Sequence, residues 1–423
     1  MGKAVRRISG QETIDSAHEI YGISSDMLSM TYTGGALKVK ESSRISGYGV
    51  RVLEKNRLGF SYCQKEDDIQ EAIKRAKILS KASPKSGFSF SIKSKYDNLD
   101  IFDRSIDPND IEAYKGIVDQ IRDAAASFKG EPRVMLTASR SKITLENSAG
   151  FIGSYKRTNL TAYVEAMDGD GYGYDYISAT KSPKIDKFIS IGSNAAQMAK
   201  DMKGAKKPDP GSYLVVMELD TLSSLLDTLM PSFSGDWKRR KMTKLVNGDK
   251  TFSEKLTLSE DGLAPGTDAR PFDDEGTVSK RREMIGKGYV RSFLYDRETA
   301  ALAKTKGCGS CSRDSFESVP YISPSNLVID PGNVKDLAEL GRHIEVHSAH
   351  GAHTANPTNG DIGLEVTVAF LSEMGVKKPV RNFMLSANVF DLFRDIEAVE
   401  SKQQIQGDLI SPRIAFRSVK VVS

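Results

Sequence analysis

Histidine is scarce in this sequence, and four of the five, His343, His347, His350 and His353, fall within eleven residues. On a helix the first three would share one face and could hold zinc. Ile344-Glu345-Val346 followed by Gly351 reads instead as a strand running into a turn. On a strand His343 and His347 share a face and His350 points the other way. No cysteine or carboxylate stands at a spacing that completes a tetrahedron. Cys308-Gly-Ser-Cys311 is a single C-x-x-C pair, half of a zinc site or a redox dithiol if it opened a helix after a strand. Gly307 and Gly309 make it a loop, Cys63 lies far away, and the thiols read as inert.

Two acidic stretches come next. Asp168-Gly-Asp170-Gly opens like a calcium loop, but Ala179 stands at the twelfth position, where a bidentate Glu is needed. A hairpin tip fits better. Asp273-Asp-Glu-Gly276 places three acids in a row, which repel one another unless cations neutralise them. Arg270, Lys280, Arg281 and Arg282 are near in sequence and suggest a salt-bridge cluster at a tight turn, with a cation or peptide-amine site as the other reading. No nucleophile elbow, phosphate loop or dinucleotide fingerprint occurs.

The elements that must position these groups follow from periodicity. Helical spacing predicts helices over 11–21, 69–80, a segment opened by Asp107-Pro108, 185–202, and 220–229 capped by Asp220. Alternation predicts strands over 27–32, 36–41, 49–54, 57–63, 134–139, 143–147, 151–156, 160–166 and 213–218, with Gly34-Gly35, Gly47-Tyr48 and Lys55-Asn56 as turns. Lys206-Lys-Pro-Asp-Pro210 within 204–211 cannot continue a helix or a sheet interior, so the main boundary falls there. The division is 1–207, an α+β domain mixing sheet and helix, and 208–423, a mostly β domain.

The chain has 423 residues, 39% hydrophobic and 27% charged, ordinary for a globular protein. Its longest apolar run is five residues, far short of the ~20 needed to span a membrane. A net charge of +4 is too weak to argue for nucleic acid, and Trp237-Lys-Arg-Arg-Lys241 reads as a solvated helix face. With three cysteines and no apolar run behind the basic N-terminus, the expected compartment is the cytoplasm.

Several segments together resemble the TldD/PmbA family, and more closely its PmbA (TldE) branch. They are Tyr32-Thr-Gly-Gly-Ala-Leu-Lys-Val-Lys-Glu41, Gly47-Tyr-Gly-Val-Arg-Val52, Ser234-Gly-Asp236, Arg270-Pro-Phe-Asp-Asp-Glu-Gly276, Ser323-Pro-Ser-Asn326, and Gly351-Ala-His-Thr-Ala-Asn-Pro357 with Gly360-Asp361. The resemblance covers nearly the whole chain. It implies a subunit of a cytoplasmic metallopeptidase complex acting on unfolded or leader-type peptides, in which a TldD-like partner carries zinc on a helical H-E-x-x-x-H motif with a later cysteine ligand. In the catalytic, TldD branch the zinc helix runs into G-D-x-x-R-R, which Gly235-Asp-Trp-Lys-Arg-Arg240 resembles. Counting back puts Leu226, Asp227 and Pro231 at the three motif positions, and no cysteine follows Cys311.

The implied subunit therefore carries no zinc of its own, pairs with a TldD-like zinc peptidase, and forms a homodimer when alone. A homodimeric peptide-binding or scaffolding protein without a peptidase partner is the alternative. Arg270, Asp273, Asp274, Glu275, Asn326, His353, Asn356 and Asp361 are the cleft or peptide-binding candidates. Each could hold its own turn, or all could converge on one cleft facing the partner.

Overall fold

The computed structural model describes residues 16–126, 130–352 and 355–422. Its first part is one antiparallel sheet of β1 (Ala17–Thr33), β2 (Ala36–Glu54), β3 (Arg57–Cys63), β4 (Arg133–Asn147), β5 (Ile152–Asp168) and β6 (Gly171–Ala179), in the order β3-β2-β1-β4-β5-β6. Helices α1 (Ile69–Ser80), α2 (Ile111–Ala125) and α3 (Ile185–Asp201) cover one face. Alternation explains the layering. Val134, Leu136 and Ala138 on β4 and Leu160, Ala162 and Val164 on β5 are buried under Tyr114, Val118 and Ile121 of α2 and Phe188, Ile191 and Ala195 of α3. Ile69, Ala72, Ile73 and Ala76 of α1 pack in the same way on Val50 and Val52.

Two expectations are corrected here. Residues 17–21 are strand rather than helix, because β1 pairs with both β2 and β4 along this stretch, and pairing on two sides outweighs local spacing. Residues 11–15 lie outside the described residues. Gly47-Tyr48 is no turn but lies inside β2, paired with Ile23 and Gly22. A Cβ on Gly47 would sit 2.5 Å from the Phe316 ring, and one on Gly49 would sit 2.6 Å from the Phe316 carbonyl. These glycines let the second half of the chain press against the sheet.

That second half begins with β7 (Gly211–Met217) and α4 (Leu219–Leu229). Short strands follow: β8 (Leu258–Glu260), β9 (Arg282–Gly286), β10 (Tyr289–Val290), β11 (Cys311–Ser312), β12 (Tyr321–Ile322) and β13 (Leu327–Ile329). Then come β14 (His343–His350), β15 (Asp361–Glu373), β16 (Val376–Val380), β17 (Phe383–Asn388), β18 (Ile396–Val399), β19 (Gln404–Gln406), β20 (Leu409–Ser411) and β21 (Ile414–Val422). The order β14-β7-β21-β17-β15 closes on itself because β14 also pairs with β15. This barrel leaves none of its five strands as a bare edge. A second sheet, β10-β9-β8-β13-β20-β19, lies beside it.

α4, with Leu222, Leu225, Leu226 and Leu229 buried, packs into the same core as Val215, Ile344, Val366, Phe393 and Phe416. The molecule is thus α+β and mostly β. Among the described residues no helix is long and apolar enough to cross a membrane.

Candidate functional site

The sequence places the acids Asp273, Asp274 and Glu275 beside Arg270, and the structure buries all four. Of the cations near in sequence, Arg270 pulls on Asp273 and Asp274, but the ion pairs of the cluster come from elsewhere. Arg281 bonds Asp330, and Arg282 donates to the Cys308 carbonyl. Arg51 of β2 donates to Glu275 at 2.6 Å and pairs with Glu19 of β1 at 2.7 Å, while Arg313 pairs with the same Glu19 at 2.8 Å. The Arg313 backbone N–H donates to Asp274 Oδ2 at 2.8 Å. This ionic knot ties the first sheet to the loop after β8. Burial and then the neighbouring Glu275 push the Asp273 carboxyl well up. Burial raises Asp274 against the pull of Arg270 and Arg313.

Asn326 is fully buried and works as a local brace. Its side chain donates to the carbonyls of Asp261 and Ala264 and accepts from Asp268 N–H. Asn356 and Asp361 stand apart in the turn before β15, where Asn356 accepts from the N–H groups of Thr358 and Asn359, and Asp361 accepts from the Asn359 and Asn388 amides. His353 lies outside the described residues. Arg270, Asp273, Asp274, Glu275 and Asn326 thus sit together in and around one buried loop, and Asn356 and Asp361 in another turn.

A cleft of about 720 Å³ joins two features that are more than 100 residues apart in sequence. One wall is Ser224, Asp227, Thr228 and Pro231, from α4 and the turn after it; the other runs along Ala349, His350, Gly351, Ala352, Ala355 and Pro357. The expected zinc-helix positions therefore do reach a cleft, but only in part. Asp227 and Pro231 line it, whereas Leu226 is 1% exposed and belongs to the barrel core. Zinc does not fit this donor set: leucine and proline offer no ligand atom, leaving one carboxylate and one imidazole among the described residues. Burial, with Asp408 nearby, pushes the Asp227 carboxyl up. Small side chains make the cleft wall shallow enough for an extended backbone.

α4 is held over the first sheet by a contact that sequence periodicity does not show. Tyr176 donates to Asp220 Oδ1 at 2.6 Å, Gln406 donates to the same oxygen at 2.6 Å, and Tyr174 Oη lies 2.7 Å from Asp220 Oδ2. Tyr174 Oη is also 2.8 Å from the His347 carbonyl on β14. The signal was the run Tyr172, Tyr174, Tyr176 at period two, which puts three phenols on the sheet face opposite α3.

The histidine run forms β14, as alternation implies. His343 is buried and bonded to Glu345 at 3.2 Å; His347 packs edge-on against Phe370; His350 faces the cleft. Glu345 raises His343, and bonds from His343 and Lys377 overcome burial to pull Glu345 down to about 2. The His343 contribution is present below about pH 6.5 and is lost as pH climbs through its raised folded value. The Glu345 contribution is present above about pH 4.5 and is lost as pH falls toward 2. Thermal midpoints across pH 3–8 are expected to peak between those limits, and His343→Gln should flatten the alkaline side.

Three family models match the chain: the PmbA/TldA metallopeptidase domain 1 over residues 18–80, the central domain over 62–203 and the C-terminal domain over 210–423. An uncharacterised protein of Methanocaldococcus jannaschii is 25% identical over 409 residues, covering 94% of this chain and 95% of its own length. A metalloprotease TldD homologue of Buchnera aphidicola is 23% identical over 388 residues, covering 84% and 79%. The crystal structure of TldE from Thermococcus kodakarensis shares the fold at a TM-score of 0.84 and 21% identity, covering 96% of this chain and 97% of that one.

Proposed function

The chain belongs to the PmbA/TldD metallopeptidase family, and we propose that it acts there as a TldE-like subunit that binds peptide without hydrolysing it. The observation that carries this reading is the donor set of the cleft, where Leu226 is turned into the core and Pro231 stands where a second imidazole is needed. Asp227 then has no bound water to activate. Among the described residues the cleft retains a groove of small side chains flanked by one acid and one imidazole, which suits an extended peptide. Catalysis falls to a TldD-like zinc subunit in the same cytoplasmic complex, with unfolded or leader-type peptides as substrate. Of the seven described candidates, Asn356 and Asp361 belong to the turn that follows on the cleft wall, whereas Arg270, Asp273, Asp274, Glu275 and Asn326 brace a buried loop away from it.

The test is an unfolded-peptide hydrolysis assay with the chain alone, with a TldD-like subunit, and with both. The chain alone, supplied with zinc, is expected to be inactive and the complex active. Filling the groove with Ala352→Trp should lower activity of the complex at least about tenfold, roughly 1.4 kcal/mol of transition-state stabilisation, while assembly persists. Zinc-dependent hydrolysis by the chain alone, or full activity of the complex with the groove filled, would sink the reading.

A further inference from the structure

We propose that Asp273, Glu275 and Cys311 form a buried site for a divalent metal ion of the zinc type, outside the cleft. One carboxylate oxygen from each acid and the Cys311 sulfur all lie within 4.8 Å of one another, and all three residues are buried. The independent sign of a missing ligand is Asp273 Oδ2. The residue is 1% exposed, yet this oxygen has no hydrogen-bond partner. A buried polar atom left unanswered costs about 1–3 kcal/mol, so an unexplained one points to a ligand.

The surroundings hold the donors as a metal site requires. Asp273 Oδ1 accepts from the N–H groups of Glu275 at 3.0 Å and Thr277 at 2.8 Å, which aims Oδ2 away from the turn. Glu275 accepts from Arg51 at 2.6 Å and from Arg297 N–H at 2.7 Å, one bond on each oxygen, and each oxygen keeps a second lone pair. Such outer bonds orient ligating carboxylates. Arg51 is also paired with Glu19, so its charge is shared. The Cys311 carbonyl accepts from Asp274 N–H, which fixes β11 against the acidic turn.

Zinc binds sulfur at ~2.3 Å and oxygen at ~2.0–2.2 Å, so tetrahedral donors lie about 3.4–3.8 Å apart. The widest pair here needs to close by at most about 1.4 Å. A cysteine donor favours zinc over magnesium or calcium. The ion would join loop 270–277 to β11 within the second half of the chain, beside the place where Arg51 of β2 and Arg313 meet Glu19 of β1.

The experiment uses the full chain, dialysed against zinc chloride and then against buffer, with elemental analysis. About one zinc per chain is expected, and Cys311→Ser and Asp273→Asn should each weaken zinc binding about ten- to a hundredfold. Cobalt in place of zinc should give a thiolate-to-metal absorption band that Cys311→Ser abolishes. His350→Ala, in the cleft, should keep the metal. A wild-type chain that retains no zinc overturns the inference. So does zinc kept by Cys311→Ser but lost in His350→Ala, which would place the metal in the cleft and overturn the non-catalytic reading as well. If neither ligand variant folds, the wild-type thermal midpoint decides: it should rise with zinc and fall with a chelator, and an unchanged midpoint overturns the site.

Discussion

Glu19→Ala is expected to lower the unfolding free energy by about 3–5 kcal/mol, the cost of removing one partner from a buried ion pair. Glu19 is fully buried, and its Oε1 receives both Arg51 and Arg313. Arg51 keeps Glu275 after the change. The Arg313 guanidinium keeps the Asp274 carbonyl, the face of Tyr21, 4.7 Å from the ring centroid, and the attraction of the Asp274 carboxyl, which Arg270 shares. A carbonyl, a ring and a carboxyl shared with Arg270 do not replace the direct Glu19 pair in a buried site, so Arg313 carries most of the loss. Glu19→Gln retains an acceptor of the same shape and should cost less than the alanine change. Urea melts measure this directly. A loss under about 1 kcal/mol for Glu19→Ala would mean that water reaches the knot and that the two halves are held by apolar packing alone.

The knot shows where sequence reading stops. The acidic turn was legible, because three acids in a row demand cations. Of the cations, Arg270 was legible and the paired ones were not. Lys280, Arg281 and Arg282 are nearer in sequence, but β9 carries Arg282 off to Cys308, and Arg281 turns to Asp330. Arg51 and Glu19 stand on strands whose alternate positions, Val50, Val52 and Ile20, face α1. A charge on the opposite face reads as solvent-exposed until a second layer is known to cover it. The helical spacing failed over 17–21 for a related reason, since partners on both sides of β1 are invisible locally.

Most strands and helices between residues 57 and 229 were legible, because buried faces at period two or 3.6 leave a direct imprint on sequence, whereas β6 and most of the short strands after α4 were not. The positions that the resemblance assigns to the zinc helix divide, Leu226 turning inward while Asp227 and Pro231 face the groove. That division depends on how α4 is rolled over the barrel.

What sets that roll is Asp220, which its position alone suggests is a helix cap. The N-cap residue is instead Glu218, and the Asp220 carboxylate points across to the first sheet. It collects Tyr174, Tyr176 and Gln406 within 2.7 Å. Hydrogen bonds to a charged group are worth about 1.5–3 kcal/mol each, less where water competes, and Asp220 is half-buried. Asp220→Ala is therefore expected to cost about 2–4 kcal/mol in total, by the same urea melts. Its functional effect should be larger than its stability effect suggests. Tyr174 also reaches the His347 carbonyl, so one phenol couples α4 to β14, and the cleft lies between α4 and the end of β14. Loosening that coupling lets the two cleft walls move independently, so peptide affinity should fall even in protein that remains folded. Asp220→Asn keeps one acceptor oxygen for the phenols and should retain most of the binding. Titration of an unfolded peptide labelled with a fluorophore into each variant, at a temperature where all are folded, makes the comparison. Equal affinity in wild type and Asp220→Ala would show that the walls are fixed by the core alone and that the tyrosine contact has no part in shaping the groove.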